Sequence, residues 1–320
     1  MNEFSANILK GLRKLYTSIK PGTMVTGRNW KMFSNKEYAN ELIYDALTDS
    51  KPCMIARFGS TEMLCLTNYV GVKQHNTNWL DFIKGKSLPW WWQPATLNQM
   101  QQWSGFYPPR PDMVERFCRL MLTDIKQIDI LGSWLQEETL FKNELNSAKQ
   151  VVLEDLEPFF STNPWTRALA GKKVLVVHPF AETIEQQYQK RQLLFDNNLL
   201  PAFELKTIKA VQSVAGEQTA FDDWFEALDW MKAEIDTTDY DICIIGCGAY
   251  GLPLAAHVKR MGKKAVHLAG ATQLLFGIKG KRWEQFIVWP YTNLFNENWV
   301  RPGQKEKPKN ASVVEEACYW

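Results

Sequence analysis

The chain has 320 residues, 45% hydrophobic and 22% charged, which is ordinary for a soluble protein with a large core. Its 37 Lys and Arg against 35 Asp and Glu leave a net charge of +2, too little to make nucleic acid the main partner. The six Cys form no C-x-x-C pair and no zinc-finger spacing, and a chain of this size needs no disulfides, so free thiols in a reducing cytoplasm are expected.

Neither a signal peptide nor an apolar run of transmembrane length is read in the sequence. Fourteen Trp are the compositional oddity. They pack cores and surfaces, and some could line a pocket for the flat faces of bases or sugars.

Residues 1–50 read as an N-terminal helical extension, with periodicity over 4–20 and 36–48 broken by Pro21-Gly22. In the first stretch, Ile8, Leu9, Leu12, Leu15, Tyr16 and Ile19 recur at helical spacing between Lys10, Arg13, Lys14 and Lys20. That pattern suits a docked helix, and equally one lying on an anionic membrane at its inner face. Cys53–Ala56 then reads as a strand, with a turn at Gly59 and a helix from Ser60 or Thr61. Residues 71–112, rich in aromatics and punctuated by five Pro, read as a long ordered loop with short helices.

From there helices and strands alternate. Helices are expected near 112–126, 135–147, 181–196, 221–235 and 251–262. Strands are expected at Ile128–Leu131, Val151–Leu153, Val174–Val177, Phe203–Ile208, Ile242–Ile245, Ala265–Leu268 and Gln285–Trp289. The alternation predicts a Rossmann-like α/β fold over 51–300, a mostly parallel sheet flanked by helices, with a polar tail over 301–320 packed on it.

Gly246-Cys-Gly248-Ala-Tyr250-Gly251 fits G-x-G-x-x-G after an apolar strand and before a helix, where free N–H groups favour an anion. Gly246 permits the turn, Gly248 a close backbone approach and Gly251 tight helix–strand packing. A dinucleotide site also needs an acid at the end of the next strand, and Ala265–Gly270 has none, which argues against NAD. Thr272-Gln273 reads as the capped start of a short helix. Lys279, Lys281 and Arg282 beside Trp283 could neutralise a diphosphate. Each feature has a plainer reading, a tightly packed turn or a solvated basic loop.

Arg57 and Glu62 flank the first turn, facing the carboxyl edge of the sheet, where Glu62 could bind Mn²⁺ or Mg²⁺, accept a proton or hold a sugar hydroxyl. Arg57-Phe-Gly-Ser60-Thr-Glu62 is similar to the R-F-G-D-G-E signature of the GT-D glycosyltransferases. Gly246–Ala255, Gly270–Gln273, Phe276–Trp283 and the closing Glu316–Trp320 also resemble GT-D-like proteins found with bacterial surface-polysaccharide (capsule) genes.

The resemblance implies a hexosyltransferase-type enzyme moving a sugar from a nucleotide-sugar donor onto a glycan or lipid-linked glycan. In that family the D-x-E acids serve metal and donor; here Ser60 replaces the first, and Glu62 alone carries over. The expected site is therefore Glu62, Arg57 and His178 for catalysis. The diphosphate would lie on Gly246, Gly248, Tyr250, Gly251, Thr272, Gln273, Lys279, Lys281 and Arg282. Trp103, Phe106 and Tyr107 would face the acceptor. A non-catalytic nucleotide- or sugar-binding protein, or an oxidoreductase or methyltransferase using the same turn, remain the alternatives.

Overall fold

The computed structural model describes residues 2–20, 33–197, 199–285, 291–314 and 317–320. Among them, seven parallel strands form one sheet: β1 (Cys53–Arg57), β2 (Ile130–Ser133), β3 (Lys149–Val152), β4 (Lys173–His178), β5 (Glu204–Lys209), β6 (Ile242–Ile245) and β7 (Lys264–His267). Their order across the sheet is β3-β2-β1-β7-β6-β4-β5.

The central strands are continuous apolar runs because both of their faces are covered. Met54, Ala56, Leu175, Val177, Cys243 and Ile245 point into one core. Cys53, Ile55, Val174, Val176, Ile242 and Ile244 point into the other. The first face carries helices α3 (Ser60–Gln74), α6 (Pro111–Asp124), α8 (Trp224–Thr237) and α9 (Gly251–Arg260), whose apolar stripes contain Leu66, Phe117, Leu228 and Leu254. The second face carries α2 (Lys36–Thr48), α7 (Ala181–Tyr188) and α10 (Thr272–Leu275), through Ile43, Ile184 and Leu274. Local signals fix the ends: the Asp223 carboxylate caps α8 by accepting from the N–H groups of Phe225 and Glu226.

This arrangement opens the crevice. Strands β1, β7, β6 and β4 lie side by side, and the chain leaves them for the first, second, first and second face in turn. Neighbouring connections therefore diverge, and space opens above the carboxyl ends of the strands.

Helix α2 supplies Ala39, Ile43 and Leu47 to the second core, and Asn40 accepts from the Trp165 N–H at 3.0 Å. The helix α1 (Glu3–Ile19) packs instead on α4 (Trp79–Ile83), with Ala6 beside Phe82 and Trp91 in a small separate cluster. The rest of the long loop holds α5 (Pro94–Gln102).

Three expectations change. The helix expected near 135–147 is a 3-10 turn over Gln136–Phe141, because Glu138 folds back to accept from the N–H groups of Trp134 and Leu135. The helix expected to 196 stops at Tyr188, whose hydroxyl is held by the backbone of Phe203. Thr272 does not cap its helix; its hydroxyl turns to the sheet and donates to the Ile245 carbonyl at 3.2 Å. The strand expected at Gln285–Trp289 falls largely outside the described residues.

Candidate active site

Two cavities sit along the carboxyl edge. The larger, about 420 Å³, lies over β1 and β7; the smaller, about 110 Å³, lies over β4 and β6. Trp103, Ser104, Gly248, Ala269, Gly270, Val314 and Tyr319 line both, so they form the wall between two halves of one cleft.

The larger half is charged. Arg57 ends β1, and its Nε and Nη2 donate to the Phe58 carbonyl at 3.0 and 2.8 Å. Its guanidinium lies 5.0 Å from the Trp134 ring, and the Trp134 indole N–H donates to the same carbonyl at 3.0 Å. Burial lowers the guanidinium pKa, while Tyr319, Glu62 and Glu157 act in the opposite direction. On the first turn of α3, the Glu62 carboxyl folds over Gly59, at a position that any side chain on residue 59 would fill. Burial pushes Glu62 above the usual carboxylate range, against hydrogen bonds from its own N–H and from Ser104 and the charge of Arg57.

Glu157, just beyond β3, faces the same cavity and accepts from the Tyr291 hydroxyl at 2.6 Å. Burial pushes it up to about 7, against the Tyr291 hydrogen bond and Arg57. Arg282 enters from the far side, its Nη1 donating to the Tyr319 hydroxyl at 3.0 Å. His267 ends β7 and is pulled down to about 4 by burial and by Arg57. The Ile245 carbonyl, 3.2 Å from its Nδ1, places the ring proton there in the neutral form.

The smaller half is apolar. His178 is buried and pulled down to about 3 by desolvation. Its Nδ1 accepts from the Phe180 N–H at 3.0 Å, so the proton of the neutral ring sits on Nε2. Tyr250 stacks on Trp224, with ring centroids 4.9 Å apart and planes 9° apart. The Gln273 amide nitrogen donates to the carbonyls of Ile278 and Tyr319, and its buried Oε1 has no hydrogen-bond partner among the described residues.

The glycine turn itself is filled by protein. A Cβ on Gly246 would overlap the Ala269 carbonyl, and one on Gly251 the His267 ring. Gly248, at φ +56°, lies under the Ser104 carbonyl, which also accepts from the Ala249 N–H at 3.1 Å.

Of the residues expected from sequence, the larger cavity gathers Arg57, Glu62, Trp103, Gly248 and Arg282. The smaller one gathers Gly246, Tyr250, Gln273 and His178. Gly251, Thr272, Lys279, Lys281, Phe106 and Tyr107 line neither. Phe106 is corrected from acceptor contact to core: it is fully buried among Phe117, Trp224 and Phe225. Tyr107 is tied by its hydroxyl to Thr219 at 2.6 Å. Sequence reading missed Trp134, Glu157, His267, Tyr291 and Tyr319 as cleft residues. Glu154 and Glu157 stand where acids follow a strand, the signal that would have found them.

Among the described residues, no three or more His, Cys, Asp or Glu side chains come together as a metal site. At the R-x-x-S-x-E turn Glu62 brings one carboxyl, whose pKa burial raises, and Ser60 is exposed. These residues do not form a preassembled cage for Mn²⁺ or Mg²⁺.

An open parallel sheet with a polar crevice at its carboxyl edge defines a Rossmann-like α/β protein. Within that class the chain matches the model of the GT-D fold-like domain over residues 34–275, more than half its length, and it belongs to that family. No curated protein and no solved structure matches it.

Proposed function

We propose that the protein transfers a sugar from a nucleotide-diphosphate sugar onto a glycan or lipid-linked glycan, as in bacterial surface-polysaccharide synthesis. One observation carries this reading: two guanidiniums and a buried carboxyl, Arg57, Arg282 and Glu62, line a single cavity of about 420 Å³ in a glycosyltransferase-type fold. Arg57 and Arg282 grip the diphosphate and stabilise the charge that grows on it as the bond to the sugar carbon breaks. Glu62 takes the proton of the acceptor hydroxyl as its oxygen bonds to that carbon, and the diphosphate leaves with the electron pair.

Glu62 is chosen over Glu157 because it is bound to Ser104, next to Trp103, on whose exposed face an acceptor sugar packs. The smaller cavity admits one ring of the ligand, close in size to the cavities of about 150 Å³ that hold benzene. Work at the cytoplasmic face of the plasma membrane is part of the same reading.

Ser60 at the position of the family's first acid favours a second reading, a protein that binds nucleotide sugars without turnover. Calorimetric titration with nucleotide sugars, NAD and S-adenosylmethionine, followed by turnover assays with glycan acceptors, decides. Sugar transfer supports the proposal. Binding of nucleotide sugars with no transfer to any acceptor favours the second reading, and binding of NAD or S-adenosylmethionine alone overturns both.

A further inference from the structure

Helix α1 uses one face to dock and leaves its apolar stripe outside. The docked side is Ala6, Leu9 and Arg13, whose Nη1 donates to the Ser87 carbonyl at 2.9 Å while its guanidinium lies 4.7 Å from the Phe82 ring. Roughly opposite, Phe4, Ile8, Leu12, Leu15 and Ile19 fall within about 80° of one another around the helix, at 100° per residue. They remain 75%, 47%, 44%, 61% and 71% exposed. On the supporting helix α4, Trp79 and Leu80 are also exposed. A contiguous stripe of this kind is unusual on a soluble surface.

We propose that this face seats the protein on an anionic lipid bilayer, lying in the interface without crossing it. The charge of the helix selects the occupant. Lys14 and Lys20 lie on the two sides of the stripe, each about 80° beyond its edge, Glu3 is the only acid in α1, and neither lysine is ion-paired among the described residues. Two copies meeting through this face would bring basic rims together, whereas phosphate headgroups neutralise them. The described helices include none long and apolar enough to span, which fits a helix that lies flat. The inference rests on the membrane-face part of the proposed function, and its vesicle test is read without any sugar transfer.

Co-sedimentation of the full chain with phosphatidylcholine vesicles, with and without phosphatidylglycerol, tests it. Binding should need the anionic lipid and fall several-fold in high salt. The pair Leu12→Glu and Leu15→Glu, both on exposed sites in a helix that tolerates Glu, should weaken binding at least about tenfold with melting unchanged. Lys14→Gln with Lys20→Gln should weaken it less and flatten the salt dependence. Negligible binding to both vesicle types, or binding indifferent to the leucine pair, overturns the proposal. So does a dimer, seen by light scattering, that the leucine pair dissolves while vesicle binding is absent.

Discussion

The turns after β1 and β6 look alike in sequence, each an apolar strand running into glycine and then a helix, but they use their space in opposite ways. At the first, Gly59 leaves room for the Glu62 carboxyl, and the charged groups Arg57, Glu62 and Glu157 face an open cavity. At the second, all three glycines are occupied by protein: the Ala269 carbonyl, the Ser104 carbonyl and the His267 ring. A glycine motif announces close approach without saying what approaches. Here, around Gly246 and Gly251, it is the protein itself, and the charge chemistry has moved to the β1 side.

The strongest way to break that contrast is Glu62→Gln. Loss of a general base should lower kcat about 10²- to 10⁴-fold with the melting temperature kept. Because burial raises the Glu62 pKa, wild-type kcat/KM should climb with pH beyond the ordinary carboxylate range, and the variant should lose that climb. Near-normal turnover would reduce Glu62 to a helix-end charge.

Next in size is Arg57→Ala, expected to cost about 10²- to 10³-fold in kcat/KM, as for a removed oxyanion donor. Arg57→Lys should not restore it, because the guanidinium spans the Phe58 carbonyl and the Trp134 face with a planar fork. Arg282→Ala should do less, about tenfold, and mainly through donor affinity measured by titration. Equal, negligible effects of both would move the diphosphate to the β6 turn.

The β6 turn has its own test, in stability rather than rate. Gly246→Ala and Gly251→Ala each force a methyl into backbone or ring, so each should cost about 1–3 kcal/mol, read as a lower melting temperature without ligand. Normal melting with lost donor affinity would make the turn a ligand cradle after all.

These differences mark how far the sequence was readable. The sheet was legible because runs such as Val174–Val177 and Ile242–Ile245 are apolar on both faces, which only a covered parallel sheet requires. Arg57 and Glu62 were legible because they lie next to the turn that positions them. Tyr291 and Tyr319 were not, since the path of the chain beyond β7 brings them to the cleft and no local pattern encodes it; Glu157 carried a local signal, an acid shortly after strand β3, that went unread. Phe106 misled for a related reason. An aromatic in a Pro-rich loop looks available to ligand, but its ring is anchored in the first core by Phe117 and Trp224.

The smallest expected effect separates the charged half from the packed half by its energetic cost. Glu157 is pushed up to about 7 in the folded chain, whereas a free Glu titrates near about 4.3. Between those values the folded state holds the extra proton, so this group's contribution to stability falls as pH rises through the window and is lowest above 7. His178 and His267, pulled down to about 3 and about 4, act in the other direction: their contribution is full above about 6.5 and is lost as pH falls. Glu157→Gln removes only the first arm and keeps an oxygen for the Tyr291 hydroxyl. Its melting temperature should exceed wild type at pH 8, by the equivalent of about 1–2 kcal/mol, and match it at about pH 4, below the free Glu value. A variant less stable than wild type at pH 8 would mean that Arg57 needs the charge of Glu157 to stay in place. A gain confined to high pH would mean that the charged cavity is held at the expense of stability, which is what a site kept for chemistry, rather than for packing, requires.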